Sequence, residues 1–346
     1  MKTTTSATAR KGAVMATAVA LAMTTLFSCK KDSSTLQPAF NADSQEELTM
    51  PTGAMRSPIS VLEKIPRYQM SDMGSTIDFD NLAKKGNTSS TESKLSTKGK
   101  GSGSGSTGGS TGGTTTPAAI PAIFALDMPV AGNQGGEGSC TGWAIGYGAS
   151  SFLKKKNTSA TSFSTTTNML SPEYLYNQTK AGGTGNCGAG AFISTVLSFA
   201  QSTGTCTWDL MPYSSSNGCD NMPGAAENSN AAQNKISGYS LIWASYLSYT
   251  QASMVAAIKN SVYNNKPVVI GMDIYQNFQT LGANQVYSAI SGNYKGGHCV
   301  VITGWDDNLQ AFKILNSWGT GWSTNGSGYI SYAIFPSVAW EAYSVY

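Results

Sequence analysis

Apolar positions are spread unevenly along the 346-residue chain, and the strongest patterns lie in its C-terminal two thirds. In TGWAIGYGASSFLKKKN, residues 141–157, Trp143 and Tyr147 stand at i and i+4, as do Ala144, Gly148 and Phe152, the spacing of a helix. Three lysines followed by Asn157 suit its C-terminus. Both faces are apolar or small, so this helix is predicted to be buried. SPEYLYNQTK opens on Ser-Pro and predicts a second helix. GAFISTVLSFAQ and ASMVAAIKNSVYN predict a third and a fourth. KPVVIGMDI, GHCVVITGW, AFKILNSW and GYISYAI read as strands. Helices come first and strands later, which predicts an α+β fold with segregated halves.

The first 116 residues lack such patterns. Residues 98–116, KGKGSGSGSTGGSTGGTTT, are a flexible linker by composition. Between 51 and 85 the apolar islands are Val61, Leu62, Ile65, Tyr68, Phe79 and Leu82. Two readings remain for that stretch, a short pro-like segment and a plain spacer, and its polarity favours the spacer. At the N-terminus, Lys2, Arg10 and Lys11 precede AVMATAVALAMTTLF, an apolar run too short for a comfortable membrane span. Leu26-Phe27-Ser28-Cys29 follows and resembles a bacterial lipobox, implying cleavage before Cys29 and lipid on its sulfur. The organisation is therefore a lipoprotein-type signal over 1–28, a low-complexity tether over 29–116 and a folded domain over 117–346. The expected location is outside the cytoplasm on a bacterial membrane, where disulfides form.

Composition agrees with this division. All seven tryptophans and fifteen of the sixteen tyrosines follow Pro117, so only that part can bury a large core. It holds nine Lys, no Arg and ten Asp/Glu, and so presents no basic surface suited to nucleic acid.

Candidate chemistry centres on NQGGEGSC, residues 133–140, which brings Cys140 to the first turn of the buried helix. Free N–H groups and the macrodipole there bias a thiol towards thiolate, the nucleophilic form. The single histidine is His298. In HCVVITGWDDNLQAFKILN, a hairpin centred on residue 307 sets His298 opposite Asn316, above an apolar face. An asparagine oxygen can hold one imidazole N–H and so aim the other ring nitrogen at a partner.

Cys, His and Asn in this order, with their flanking residues, resemble the papain-like cysteine peptidases. Asn133-Gln134 with Gly138-Ser139-Cys140 is similar to the family's nucleophile segment. Gly297-His298 resembles its histidine, and Asn316-Ser317-Trp318-Gly319-Thr320-Gly321-Trp322 matches its NSWGTGW signature. LSPEYLY and GNCGAG are weaker counterparts, and the likeness runs over about residues 121–346. It implies a two-lobed fold with a helical N-terminal lobe, a central nucleophile helix and an antiparallel, barrel-like C-terminal lobe. It also implies roles: Cys140 as nucleophile, His298 as its partner, Asn316 as the orienting group, and Gln134 with the Cys140 N–H as oxyanion hole. Trp318 shields the His–Asn bond, and Gly188, Ala189 and Gly190 form a cleft wall. Phe192, Gly271 and Cys299 line an apolar pocket that would favour Leu, Val or Phe.

Two features depart from the family. Glu137 stands where it usually has a cysteine, which leaves Cys187 without its usual mate, and no long charged pro-helix is visible. Beyond Cys29 and Cys140, the cysteines 187, 206, 219 and 299 allow three full pairings. Cys206–Cys219 is the preferred one, both lying in a Gly/Ser/Asn/Pro-rich stretch, and Cys299 is expected to be free. One histidine and no CxxC pair speak against zinc, and no cofactor is expected. The expectation is a monomeric, membrane-tethered endopeptidase acting on proteins or peptides. The alternatives are a tethered peptide-binding protein and another thiol acyl-transfer enzyme, such as a transglutaminase or a cell-wall peptide hydrolase.

Overall fold

The computed structural model describes residues 52–69, 120–214 and 218–346. The leader, Cys29, the 98–116 linker, Phe79 and Leu82 lie outside the described residues. The chain first forms a two-residue strand, β1 (Ala54–Met55), and one helical turn, α1 (Ile59–Leu62). This stretch does not lie apart as a spacer. Leu62 and Ile65 are buried, and the Tyr68 N–H bonds to the Leu241 carbonyl.

After β2 (Ile123–Ala125) comes the predicted buried helix, α2, over 140–157. It is α-helical at Cys140–Gly142, wound with wider π turns over Trp143–Ser150, and α-helical again at Ser151–Asn157. Every residue from 140 to 150 is buried. Its glycines set how close its neighbours come. A Cβ on Gly142 would sit 2.6 Å from the Pro172 carbonyl oxygen, and one on Gly148 would sit 2.9 Å from Val301. α3 (Pro172–Thr179) starts as its sequence predicts, with Ser171 accepting the Tyr174 N–H and proline in the first turn. β3 (Ala191–Phe192) leads into α4 (Ile193–Ser202), and α5 (Ala225–Ala231) follows.

The second lobe is an eight-stranded sheet packed against α6 (Gln251–Tyr263). Its strands are β4 (Tyr239–Ala244), β5 (Val268–Tyr275), β6 (Val286–Tyr287), β7 (Tyr294–Asp306), β8 (Ala311–Leu315), β9 (Ser327–Ser331) and β10 (Ala339–Val345). Their order is β4-β10-β5-β7-β8-β9-β6, with β2 also on β7. All pairings in this sheet are antiparallel except β6 with β9. The helical lobe, the central α2 and the antiparallel lobe form the expected two-lobed α+β fold.

The β7–β8 register differs from the expectation. Asp306 pairs with Ala311 and Trp305 with Phe312, so the turn spans 307–310 and is not centred on 307. An irregularity between Ile302 and Gly304 then shifts the pairing again. Asp307 pins the turn. It accepts both Lys259 Nζ bonds, at 2.7 and 2.8 Å, and the Tyr332 hydroxyl at 2.8 Å. This ion pair is mostly buried and fully hydrogen-bonded, so it fixes the hairpin that carries the histidine.

The disulfide is Cys187–Cys219, with Cα atoms 5.4 Å apart, and the preferred Cys206–Cys219 pairing is wrong. Cys206 is fully buried in the helical lobe, where its carbonyl accepts the Ser171 N–H and Thr207 bridges Leu170. Cys140 and Cys299 are free, as is Cys206. The bond closes a 32-residue separation. Chain entropy then makes its loss cost about 3–4 kcal/mol. A Cys187→Ser/Cys219→Ser chain is expected to show that drop in denaturant unfolding.

Candidate active site

The thiol and the imidazole are held by different lobes. Cys140 opens α2 at the inter-lobe boundary, completely buried, and the backbone N–H groups of Thr141, Cys299 and Ala54 point at its sulfur. The Cys299 N–H belongs to the residue after His298, so the histidine strand β7 runs past the thiol.

His298 is also fully buried, and its Nε2 lies 2.7 Å from Asn316 Oδ1. That oxygen also accepts the Ser317 N–H at 2.8 Å, which fixes the orientation of the amide. Nε2 therefore carries the proton and donates it, and Nδ1 keeps a lone pair with no hydrogen-bond partner. The pair forms although the two residues are not cross-strand neighbours, because β8 ends at Leu315 and Asn316 lies just beyond it. The Trp318 ring stacks on the imidazole with centroids 4.5 Å apart and planes at 25°, and Phe278 and Trp322 stand edge-on around Trp318. Trp318, 3% exposed, thus packs on the histidine.

Two loops are tied together beneath the thiol. The Gln134 N–H bonds to the Ser317 carbonyl, and Ser317 Oγ donates to Gln134 Oε1 at 2.6 Å. This turns Gln134 Nε2 the other way, where one of its two N–H groups goes to the Glu137 carbonyl at 2.8 Å. Gly135, at φ 56°, makes the left-handed turn between them. Glu137 takes over part of a half-cystine's work. Its carboxylate accepts the Cys219 N–H at 3.2 Å and the Tyr213 hydroxyl at 3.2 Å, beside the Cys187–Cys219 bond. Burial raises its pKa, and these bonds only partly offset that. Glu137, Cys187 and Cys219 are also a close group of metal-ligand types, but both sulfurs are spent in the disulfide.

Segment 52–69 covers the site. β1 pairs parallel with β3, Ala54 opposite Ala191 and Met55 opposite Phe192. The Gly53 N–H bonds to the Gly297 carbonyl at 2.9 Å, and the Gly53 carbonyl accepts the Ala191 N–H at 2.8 Å. Glycines on both walls admit this backbone. A Cβ on Gly53 would meet Gly138 O at 2.1 Å, one on Gly190 would meet Gly53 O at 2.0 Å, and one on Gly297 would meet Ala54 O at 2.3 Å. Of the expected wall residues Gly188, Ala189 and Gly190, it is Gly190 that lies against the docked segment. Under this cover the Cys140 thiol is pushed up to about 12 and His298 down to about 4, both chiefly by burial. The pair is neutral in this state.

The pocket predicted to be apolar holds a carboxylate that the sequence reading missed. Gly271 faces Trp340 and Ile193, but its cross-strand partner is Glu341, 1% exposed, and the Glu341 charge acts on Cys299. Glu341 Oε1 accepts from Ser57 Oγ at 3.2 Å, and Oε2 accepts from Tyr343 at 2.7 Å. A lone glutamate in the otherwise uncharged run AWEAYSV was the available signal.

Because Asn316 acts through His298, Asn316→Ala is expected to lower kcat by about 10–100-fold. KM should change little, and assay with a fluorogenic peptide once segment 52–69 is displaced checks both.

Known proteins are similar to this chain in sequence and in fold. A gut-specific cysteine proteinase of Caenorhabditis elegans is 31% identical over 97 residues, which are 26% of this chain and 29% of that protein. The chain thus aligns with under a third of that relative's length. Xylellain, a cysteine protease from Xylella fastidiosa, has the same fold at 22% identity and a TM-score of 0.55, covering 66% of this chain and 87% of its own. Procathepsin L2 from the Tenebrio molitor larval midgut matches at 16% identity and a TM-score of 0.55, covering 88% and 80%. Residues 128–337, more than half of the chain and including Cys140, His298, Asn316 and Gln134, match the family described as papain family cysteine protease, and the chain belongs to that family.

Proposed function

We propose that this chain is a cysteine endopeptidase held latent by its own residues 52–69 and tethered outside the cytoplasm through lipid on Cys29. The observation that carries the reading is the state of His298. It is proton-bearing towards Asn316 and lone-pair-bearing at Nδ1, on the strand whose next residue, Cys299, brings its N–H to a thiol at a helix N-terminus.

In the open enzyme, water and the helix dipole favour proton transfer from Cys140 to His298 Nδ1. The thiolate attacks the scissile carbonyl, and the oxyanion takes N–H bonds from Gln134 Nε2 and the Cys140 backbone, each such donor worth roughly 2.7–4 kcal/mol. His298 gives its Nδ1 proton to the leaving amine. A water then loses a proton to His298 and attacks the thioester, which releases the acid and restores the thiol. Asn316 and Trp318 keep the ring in plane through both transfers.

The docked segment resists this chemistry. Ala54 turns its N–H to the Cys140 sulfur, and its carbonyl oxygen lies against Gly297, on the histidine strand. A carbonyl held there is not presented to the Gln134 amide.

Peptide hydrolysis separates this reading from other thiol acyl transfer. Isotope tagging of new amino termini in a digested protein mixture is expected to find them once the segment is displaced. Ammonia release or crosslinks without new termini would contradict the reading. Palmitate labelling of expressing bacteria tests the tether, with incorporation expected in the wild type and absent in Cys29→Ala.

A further inference from the structure

We propose that Tyr213 and Glu137 are positioning residues of the oxyanion hole: the Tyr213 hydroxyl, fed by a neutral Glu137 carboxyl, holds the turn that aims the Gln134 amide. This rests on the peptidase reading and adds to its site two residues and a pH response.

The Tyr213 hydroxyl is the hub of the turn that leads to Cys140. It touches the Gln134 carbonyl oxygen at 2.7 Å, Glu137 Oε2 at 3.2 Å and Ser139 Oγ at 2.6 Å. Gln134, Glu137 and Ser139 are all buried. The Trp143 ring of α2 stands edge-on to the Tyr213 ring, with centroids 4.9 Å apart, and steadies it. Glu137 is held at its other oxygen by the Cys219 N–H, and its backbone carbonyl takes one N–H of the Gln134 amide. Gln134, Glu137 and Tyr213 therefore close a ring of hydrogen bonds. Movement of any corner re-aims the second amide N–H, the one left for an oxyanion.

Glu137 is a neutral acid by proton count. Tyrosine has one O–H, and two acceptors lie within its reach, the Gln134 carbonyl and Glu137 Oε2. With Glu137 ionised, a carboxylate and a carbonyl compete for that one proton. With Glu137 protonated, its O–H and that of Ser139 both donate to the Tyr213 oxygen, and Tyr213 gives its own proton to Gln134, so no buried group goes short. The surroundings favour the neutral form. Burial raises the Glu137 pKa, and the neighbouring Glu173 of α3, pushed up to about 7 mainly by burial, also feels the Glu137 charge. The Tyr176 hydroxyl of α3 feels it too, and is bonded to the Cys187 carbonyl at 2.7 Å. Lys180 of α3 is the facing cation, but its Nζ is taken by Asp220 Oδ1 at 2.7 Å and the Cys219 carbonyl at 2.6 Å. Ionisation of Glu137 draws the Tyr213 proton away from Gln134. The hole is thus held while the acid is protonated and loosened as pH rises through its ionisation.

The test uses the full chain carrying Gly53→Leu, which displaces the segment, and the same chain with Tyr213→Phe or Glu137→Gln added. Two reactions of Cys140 are compared. Hydrolysis of a fluorogenic peptide passes through an oxyanion, whereas alkylation by iodoacetamide is a displacement at carbon and does not. Tyr213→Phe should lower kcat by about 10–100-fold with little change in KM or in the rate of alkylation, a split that a damaged fold does not produce. The kcat of the Gly53→Leu chain should fall as pH rises through the Glu137 ionisation. Glu137→Gln should lose that fall, because its amide donates to Tyr213 and cannot ionise. Undiminished hydrolysis in Tyr213→Phe, or hydrolysis and alkylation falling together, overturns the inference, as does a Glu137→Gln pH profile that coincides with that of Gly53→Leu alone. Cleavage of no peptide by the Gly53→Leu chain, while its Cys140 reacts freely with iodoacetamide, overturns the peptidase reading itself and the inference with it.

Discussion

Gly53→Leu in the full chain is expected to raise peptide hydrolysis by about a hundredfold. A Cβ at residue 53 would stand 2.1 Å from the Gly138 carbonyl oxygen, and a backbone oxygen cannot swing aside as a side chain can. Overpacking at such a point costs about 3 kcal/mol, which shifts a docked–open equilibrium by about a hundredfold. The substitution touches no residue of the catalytic group and lies outside the family match at 128–337. Its second signature is alkylation. With the segment docked, Cys140 is a neutral thiol with its pKa pushed up to about 12, so iodoacetamide should react slowly across pH 5–9. Opening admits water and lets the thiolate–imidazolium pair form, so the variant should react fast over the same range. Equal rates for wild type and Gly53→Leu would show that the segment does not control the thiol.

His298→Ala and Cys140→Ala, each placed in the Gly53→Leu chain, should lower kcat on the order of 10⁴ to 10⁶-fold. The two losses should not add when combined, because nucleophile and base act as one unit. His298 is the only histidine in the chain, so no neighbouring imidazole can substitute for it. The two variants differ in what they leave behind. Cys140→Ala removes alkylation of residue 140 altogether. His298→Ala keeps the thiol but removes the charge that holds it ionised, so its reaction should move to the alkaline pH of an ordinary cysteine. Stopped-assay kinetics and the pH profile of alkylation check both.

The proposed catalytic group is written in short, local strings, because such chemistry demands fixed residue types. NQGGEGSC and NSWGTGW each carry their own turn glycines and packing residues, and the structure ties them together through Gln134 and Ser317. A hairpin centred on residue 307 sets His298 opposite Asn316 through a register the strands do not have. That register needs an unbroken ladder, whereas the strands shift near residue 303 and the 307–310 turn is longer. Contact survived because Asn316 sits past the strand end and reaches back. The docking of segment 52–69 was hidden for a different reason. Its docking relies on the backbone of Gly53 and Ala54 pairing with Gly297 and Ala191, and backbone bonds leave no pattern of side chains. Only Leu62 and Ile65 announce it, and two buried residues in a polar stretch do not outweigh their surroundings. The disulfide was missed because proximity depends on how the loops at 187 and 219 cross, which Glu137 stabilises from a third loop.

The most direct measurement maps a peptidyl epoxide adduct by mass spectrometry on four full-length chains: wild type, Gly53→Leu, Gly53→Leu/Cys140→Ala and Gly53→Leu/His298→Ala. A latent papain-family peptidase predicts an adduct on Cys140 in Gly53→Leu, little in the wild type, none at that position without the cysteine, and a sharp drop without the histidine. An adduct on Cys206 or Cys299 in place of Cys140, or labelling of Cys140 that is indifferent to His298, would contradict it.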